Sequence, residues 1–109
     1  FKTYNITVCF IYSTWLVCFE DVDIIIDPGV NALEWLKEEC QNPIAILNTH
    51  GHFDHIWDNS ITKKHFNIPL YTPKDDVFML EDTSGINNNV PLSTPDFMID
   101  NDKKFIINQ

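Results

Sequence analysis

Thr49-His50-Gly51-His52-Phe53-Asp54-His55 is the stretch that decides how this chain is read. Three of the four histidines lie in it, together with a carboxylate. Imidazole and carboxylate are the side chains that bind zinc and iron. The apolar run Ile44-Ala45-Ile46-Leu47 leads directly into it. The pattern therefore predicts a buried strand over 44–47, followed by a loop that carries the histidines. Open α/β sheets place their ligands at the carboxyl ends of strands, which is where this loop falls.

His50 and His52 stand two apart, so both rings can converge on one cation. Asp54 and His55 are adjacent and cannot share that cation with similar geometry, but a turn can aim them at a second one. The natural division is two ligands for each of two metals. Zinc suits these donors, with iron or manganese as competitors. Two metals about 3.5–4 Å apart would hold a hydroxide as nucleophile and polarise a scissile carbonyl or phosphoryl group. The bland alternative is a set of solvated loop histidines. His65 stands apart, beside Lys63 and Lys64, and reads as a surface residue. Trp57 and Asp58 follow the motif and read as packing or helix-capping residues rather than as a pocket rim.

Working outward, Tyr4, Ile6, Val8, Phe10 and Tyr12 alternate with polar or small residues, which is strand periodicity. Trp15 to Phe19 reads as a second strand, Glu20 to Asp23 as a turn, and Ile24-Ile25-Ile26 as a third strand apolar enough to be central. Asp27-Pro28-Gly29 ends it. Asp27 is either a turn-former or an acceptor that fixes the histidine loop. Asn31 is the expected N-cap of a helix through Cys40. Further on, the chain predicts a helix from about 59 to 66, a short strand at 69–71 and a helix at 74–80. An exposed loop at 85–95 follows, then strands at 97–99 and 105–107 joined by a turn at Asn101-Asp102. A strand meander followed by alternating strands and helices is α/β with one mixed sheet.

The 109 residues make one domain or part of one. A net charge of −9 argues against nucleic-acid binding, which needs a basic face. Cys9, Cys18 and Cys40 form no C-x-x-C pair, and Cys9 and Cys18 read as buried thiols. Free thiols point to a reducing compartment, so the expected location is cytoplasmic. No segment reaches the ~20 apolar residues of a membrane span, and no signal-peptide pattern is present at Phe1.

His50-x-His52-x-Asp54-His55 after an apolar strand resembles the signature of the metallo-β-lactamase superfamily. Ile24-Ile25-Ile26-Asp27-Pro28-Gly29 is similar to that family's strand ending in Asp-Pro-Gly, and Ser13-Thr14-Trp15-Leu16-Val17 to its Asn-x-Tyr-Leu-like strand. The likeness covers nearly the whole chain and is greatest to glyoxalase II-like hydrolases. It implies an αββα sandwich, a first metal on His50 and His52, and a second on Asp54 and His55. Asp54 would also lie near the attacking hydroxide, and Asp27 would support the motif loop. The implied activity is metal-dependent hydrolysis of a small molecule, a thioester or related ester. The family also draws a third histidine, a bridging Asp and a last His from later segments, none of which is among these residues. The expectation is that residues 1–109 are the N-terminal half of such a domain, a fragment with one sheet face uncovered. The competing expectation is a non-catalytic half-domain that binds metal, or binds itself or a partner through that face.

Overall fold

The hairpin of β1 (Ile6–Ile11) and β2 (Thr14–Phe19) turns at Tyr12-Ser13, with Tyr12 in the left-handed region at φ 53°. The computed structural model describes residues 3–81 and 91–100. β3 (Val22–Ile26) returns antiparallel to β2, and β4 (Pro43–Leu47), β5 (Leu70–Pro73) and β6 (Phe97–Ile99) run parallel to it. The described residues form one mixed sheet of six strands, laid side by side in chain order. α1 (Ala32–Glu39) joins β3 to β4, while α2 (Phe53–Ile56) and α3 (Asn59–Phe66) join β4 to β5. A 3₁₀ turn (Lys74–Asp76) and α4 (Val77–Glu81) follow β5. The architecture is the expected α/β one, a single mixed sheet with flanking helices.

The two faces of this sheet differ. Leu16, Ile25, Ile46 and Leu70 are register partners across β2 to β5, and each is fully buried. Ala32 and Leu36 of α1, Ile56 of α2 and Leu80 of α4 pack with them into the core. Burying each such Leu or Ile contributes about 1.5–3 kcal/mol. On the opposite face, Phe10, Trp15, Ile26, Leu47, Tyr71 and Phe97 are also register partners, one from each strand. This row is unevenly covered: Tyr71 is buried, and Ile26 and Leu47 are half-buried. Phe10 is 61% exposed, Trp15 41% and Phe97 52%. Phe10 stacks on Trp15, and Tyr71 on Phe97, each at 4.7 Å between centroids.

Several local expectations are corrected. Val22 and Asp23 belong to β3 rather than to a turn, pairing with Phe19 and Cys18. Asp23 sits buried inside a strand because its Oδ2 accepts the Gln41 and Asn42 amides at 2.7 and 2.8 Å. Asn31 does not cap α1: it is left-handed, at φ 65°, and its side chain makes no cap bond. Asp58 does that work from across the fold, accepting the Leu33 amide at 3.0 Å. The motif is not all loop, since Phe53–Ile56 forms the single turn α2, with His55 N–H donating to the His52 carbonyl. Cys9 and Cys18 are half-buried rather than buried. The strand expected at 105–107 and its turn lie outside the described residues.

Candidate metal centre

The site is built where β3, β4 and β5 end side by side. β4 delivers Asn48, Thr49 and His50, and α2 carries Asp54 and His55. Asp27, directly after β3, is 2% exposed and left-handed at φ 53°. That conformation is costly for a residue with a Cβ and persists only where surrounding bonds enforce it. Its own N–H donates to the Leu47 carbonyl at 2.9 Å, and its carbonyl accepts the Thr14 hydroxyl at 2.9 Å. Thr14 Oγ1 in turn accepts the Gly29 amide at 3.0 Å. The backbone is thereby curled so that the Asp27 carboxylate lies under the histidines.

That carboxylate has three partners. Oδ1 accepts the Thr49 amide at 2.7 Å, and Oδ2 accepts the Thr49 hydroxyl and meets His55 Nδ1 at 2.9 Å. Thr49 Oγ1 also meets His50 Nδ1 at 2.8 Å. A carboxylate can only accept, so the Thr49 proton goes to Asp27 and His50 Nδ1 must be the donor to Thr49. His55 Nδ1 is a donor by the same logic. One buried acid thus assigns both tautomers, and the Nε2 lone pair of each ring is left for a cation.

An Asp27 oxygen and one ring nitrogen each of His50 and His55 lie within 4.8 Å of one another. Asp27 is one of the three groups that could ligate an ion here, and its oxygens also hold Thr49 and His55. The His50 ring lies 4.0 Å from that of His55 and 4.6 Å, edge-on, from that of His52. Asp54 Oδ2 lies 3.6 Å from His55 Nε2. His52 and Asp54 are exposed, while His50 and His55 are half-buried. The structure therefore brings His50 and His55 together with Asp27, while His52 lies edge-on beside His50 and Asp54 beside His55, both outside that group of three. It does not separate them into two pairs, since His50 and His55 approach as closely as His50 and His52. The donor set fits a divalent metal of borderline softness. His65 lies exposed on α3, outside the cluster.

Residues not anticipated from sequence hold the cluster. Ser13 Oγ, at the hairpin tip, donates to the Asp54 carbonyl at 2.8 Å. A methyl group on Gly29 would overlap that same carbonyl, so only glycine allows α2 to sit there. Asp76 accepts the Gly51 amide at 2.9 Å. Beneath the loop, Asn48 and Asn59 exchange amide hydrogen bonds at 3.0 and 2.8 Å, and Thr72 donates to Asn48 at 3.0 Å. Thr49 stood inside the motif and could have been noticed. Ser13 and Asp76 carried no local signal, since their partners are 41 and 25 residues away.

A cavity of about 480 Å³ opens between Tyr12-Ser13 and Gly29–Ala32, with Asp54 in its wall. A larger one, about 650 Å³, is lined by Lys63, Lys64, Leu92 and Asp96 among others and holds none of the motif. Proximity to the donors, not size, makes the smaller cavity the relevant one. The cysteines offer no rival chemistry. Burial and then the Asp23 charge push Cys40 up to about 12, and burial and the Asp23 hydrogen bond push Cys18 up to about 11. Burial, followed by the charges of Glu39 and Asp23, also raises Cys9. Thiols so shifted stay protonated and unreactive near neutrality.

The family model of the metallo-beta-lactamase superfamily matches residues 7–107. The chain belongs to this superfamily. Among metallo-beta-lactamase superfamily relatives, a hydroxyacylglutathione hydrolase of Nitrosomonas europaea is 43% identical over 61 residues, 54% of this chain and 23% of that protein. The probable metallo-hydrolase YqgX of Bacillus subtilis is 32% identical over 77 residues, 66% of this chain and 36% of that protein. The crystal structure of the B3 metallo-beta-lactamase BLEG-1 superposes with a TM-score of 0.71 at 28% identity, covering 96% of this chain and 56% of that one. The chain thus spans about half of that solved structure and a smaller share of the curated relatives.

Proposed function

We propose that this chain supplies the N-terminal half of a metal-dependent hydrolase of glyoxalase II-like type, acting on a thioester or related ester. The observation that carries this reading is the Asp27 relay, which engages Nδ1 of His55 directly and Nδ1 of His50 through Thr49, with His52 beside His50 and Asp54 beside His55. His50 and His52 would hold one zinc ion, and Asp54 and His55 a second, with iron or manganese as competitors. Zinc at such donors supplies Lewis acidity, polarising a carbonyl and making water acidic enough to attack near neutral pH. Asp54 is exposed toward the substrate side, where its carboxylate can orient the attacking water and accept its proton. Ser13 and Gly29 fix the backbone from which Asp54 projects. The cavity beside Asp54 receives the organic part of the substrate, with Val30 and Ala32 as apolar wall.

The relative named as a hydroxyacylglutathione hydrolase favours a glutathione thioester, so that is the substrate to try first. Isothermal titration with zinc, followed by a thioester hydrolysis assay, tests the reading. The expected result is zinc uptake that is lost in His50→Ala and His55→Ala but kept in His65→Ala. Hydrolysis should appear only in a form that also carries the family's later ligands. Equal zinc uptake by all four proteins would defeat the metal reading. Uptake without hydrolysis in the longer form would defeat the thioester reading. A second reading, a non-catalytic half-domain that binds through its sheet, is favoured by the exposure of Phe10, Trp15 and Phe97 on one face.

A further inference from the structure

The metal reading leaves one acid near the motif unexplained. Asp76 lies in the 3₁₀ turn after β5, the strand that pairs in parallel with β4 through Ile46–Leu70 and Leu47–Tyr71. Asp27 lies just after β3, the parallel neighbour of β4 on its other side. Each flanking strand therefore sends a carboxylate from its carboxyl end to the backbone of the segment that leaves β4. Asp27 takes the Thr49 amide at 2.7 Å, and Asp76 takes the Gly51 amide at 2.9 Å. The second contact falls between the two histidines assigned to the first metal.

We propose that Asp76 is a positioning residue for His50 and His52: its hydrogen bond to the Gly51 amide holds the intervening peptide so that both rings face one cation. The inference rests on the metal reading above. Side chains two apart share a side only while the backbone between them stays extended, and a rotation of the Gly51 peptide would turn them away from each other. His52 is otherwise exposed, so packing does little to orient it. A bond to a carboxylate is about twice as strong as a neutral one, which suits it to hold a peptide near solvent. The fit is close as well as polar. A Cβ at Gly51 would lie 2.9 Å from the Asp76 carbonyl oxygen and from Met79 Cβ and Sδ, so the 74–79 segment is seated directly against the Gly51 backbone. Asp76 thus acts on the first ligand pair and leaves His55, which is held by Asp27, alone.

The test compares the wild-type chain with Asp76→Ala and Asp76→Asn. Three readouts are zinc affinity by competition titration, Gly51 amide hydrogen exchange in the metal-free protein, and the imidazole NMR signals of the four histidines. In Asp76→Ala, Gly51 exchange should quicken at least about tenfold and zinc affinity should fall about 10- to 100-fold, as for other residues that orient metal ligands. The signals of His50 and His52 should move while those of His55 stay. Asp76→Asn, which keeps an acceptor oxygen, should recover most of the affinity. Unchanged Gly51 exchange and affinity in Asp76→Ala would overturn the proposal, as would an Asp76→Asn protein as defective as Asp76→Ala. If Asp76→Ala does not fold, Asp76→Ser, polar but too short to reach, replaces it with the same expectations. A wild-type chain that takes up no zinc would sink the metal reading itself. The exchange and NMR readouts would then still judge the Asp76 bond and its selectivity for His50 and His52.

Discussion

At the scale of the residue, the acid beneath the histidines organises the site. Asp27 fixes two imidazole tautomers through contacts at 2.9 Å to His55 and through Thr49 to His50. Asp27→Asn should therefore do more damage than its small change in shape suggests. An amide presents one donor and one acceptor end, so one of the Thr49 and His55 contacts becomes donor against donor. The expected loss is about 10- to 100-fold in zinc affinity, read by titration, with the circular dichroism spectrum unchanged. Affinity within threefold of wild type would show that Asp27 serves only its turn. That His50 and His55 would come together was legible from sequence, because all the motif histidines leave one strand within six residues. Thr14, Ser13 and Asp76 were not, since a hydroxyl or a carboxylate looks the same whether it meets solvent or an amide far along the chain.

At the scale of the element, strands were easier to read than ends. The alternation of Ile6, Val8 and Phe10 and the run of Ile24 to Ile26 showed where strands lie, although in β1 the alternating apolar side chains are the exposed ones and Cys9 and Ile11 are the half-buried ones. Caps and turns were misread where the satisfying partner is distant. Asn31 had the composition of an N-cap, but the α1 amide at Leu33 is met by Asp58. Burial raises the Asp58 carboxyl above its ordinary range, even though the Leu33, Asn31 and Ala32 amides pull it down. Asp58→Ala should cost about 0.5–2 kcal/mol in urea unfolding at pH 7, the range for a lost N-cap, whereas Asn31→Ala should cost much less. A second element contact gives a pH signature. Lys63 of α3 pairs with Asp96 at 2.9 Å, and Asp96 also accepts the Leu70 amide at 2.8 Å. Partial burial alone would raise the Asp96 carboxyl, but Lys63 and the Leu70 amide outweigh it and bring it below its usual value. Its folded pKa is depressed, so its contribution is present above the unfolded value near ~3.9 and is lost as pH falls through the folded one. Lys63→Met should lower stability by no more than about 1 kcal/mol at pH 7, as befits a half-exposed pair. The gap to wild type should close as the pH falls below ~3.9. A gap that persists at the acid end would assign it to packing.

At the scale of the whole molecule, the described residues leave the two faces of the sheet unequally covered. The helix-covered row from Leu16 to Leu70 is dry, while on the opposite face Phe10, Trp15 and Phe97 stay exposed. Exposed apolar area of this kind marks an association surface, so the isolated chain is expected to self-associate at micromolar concentration despite a net charge of −9. Sedimentation should show species heavier than a monomer. Replacing Phe10 and Phe97 with Ser should return the monomer without loss of the core, and a wild-type chain that stays monomeric would remove the idea. The α/β class and single mixed sheet were legible from the order of periodic segments. What no local pattern could show is that six positions far apart in the chain fall in one register line, since register is settled only when the strands pair. The convergence of β3, β4 and β5 on the motif has a consequence for protein engineering. Copying residues 49–55 onto another scaffold would carry over the imidazoles without the instructions for where their protons go. Those instructions reside in Asp27, and a graft that omits it transfers the letters of the site without its grammar.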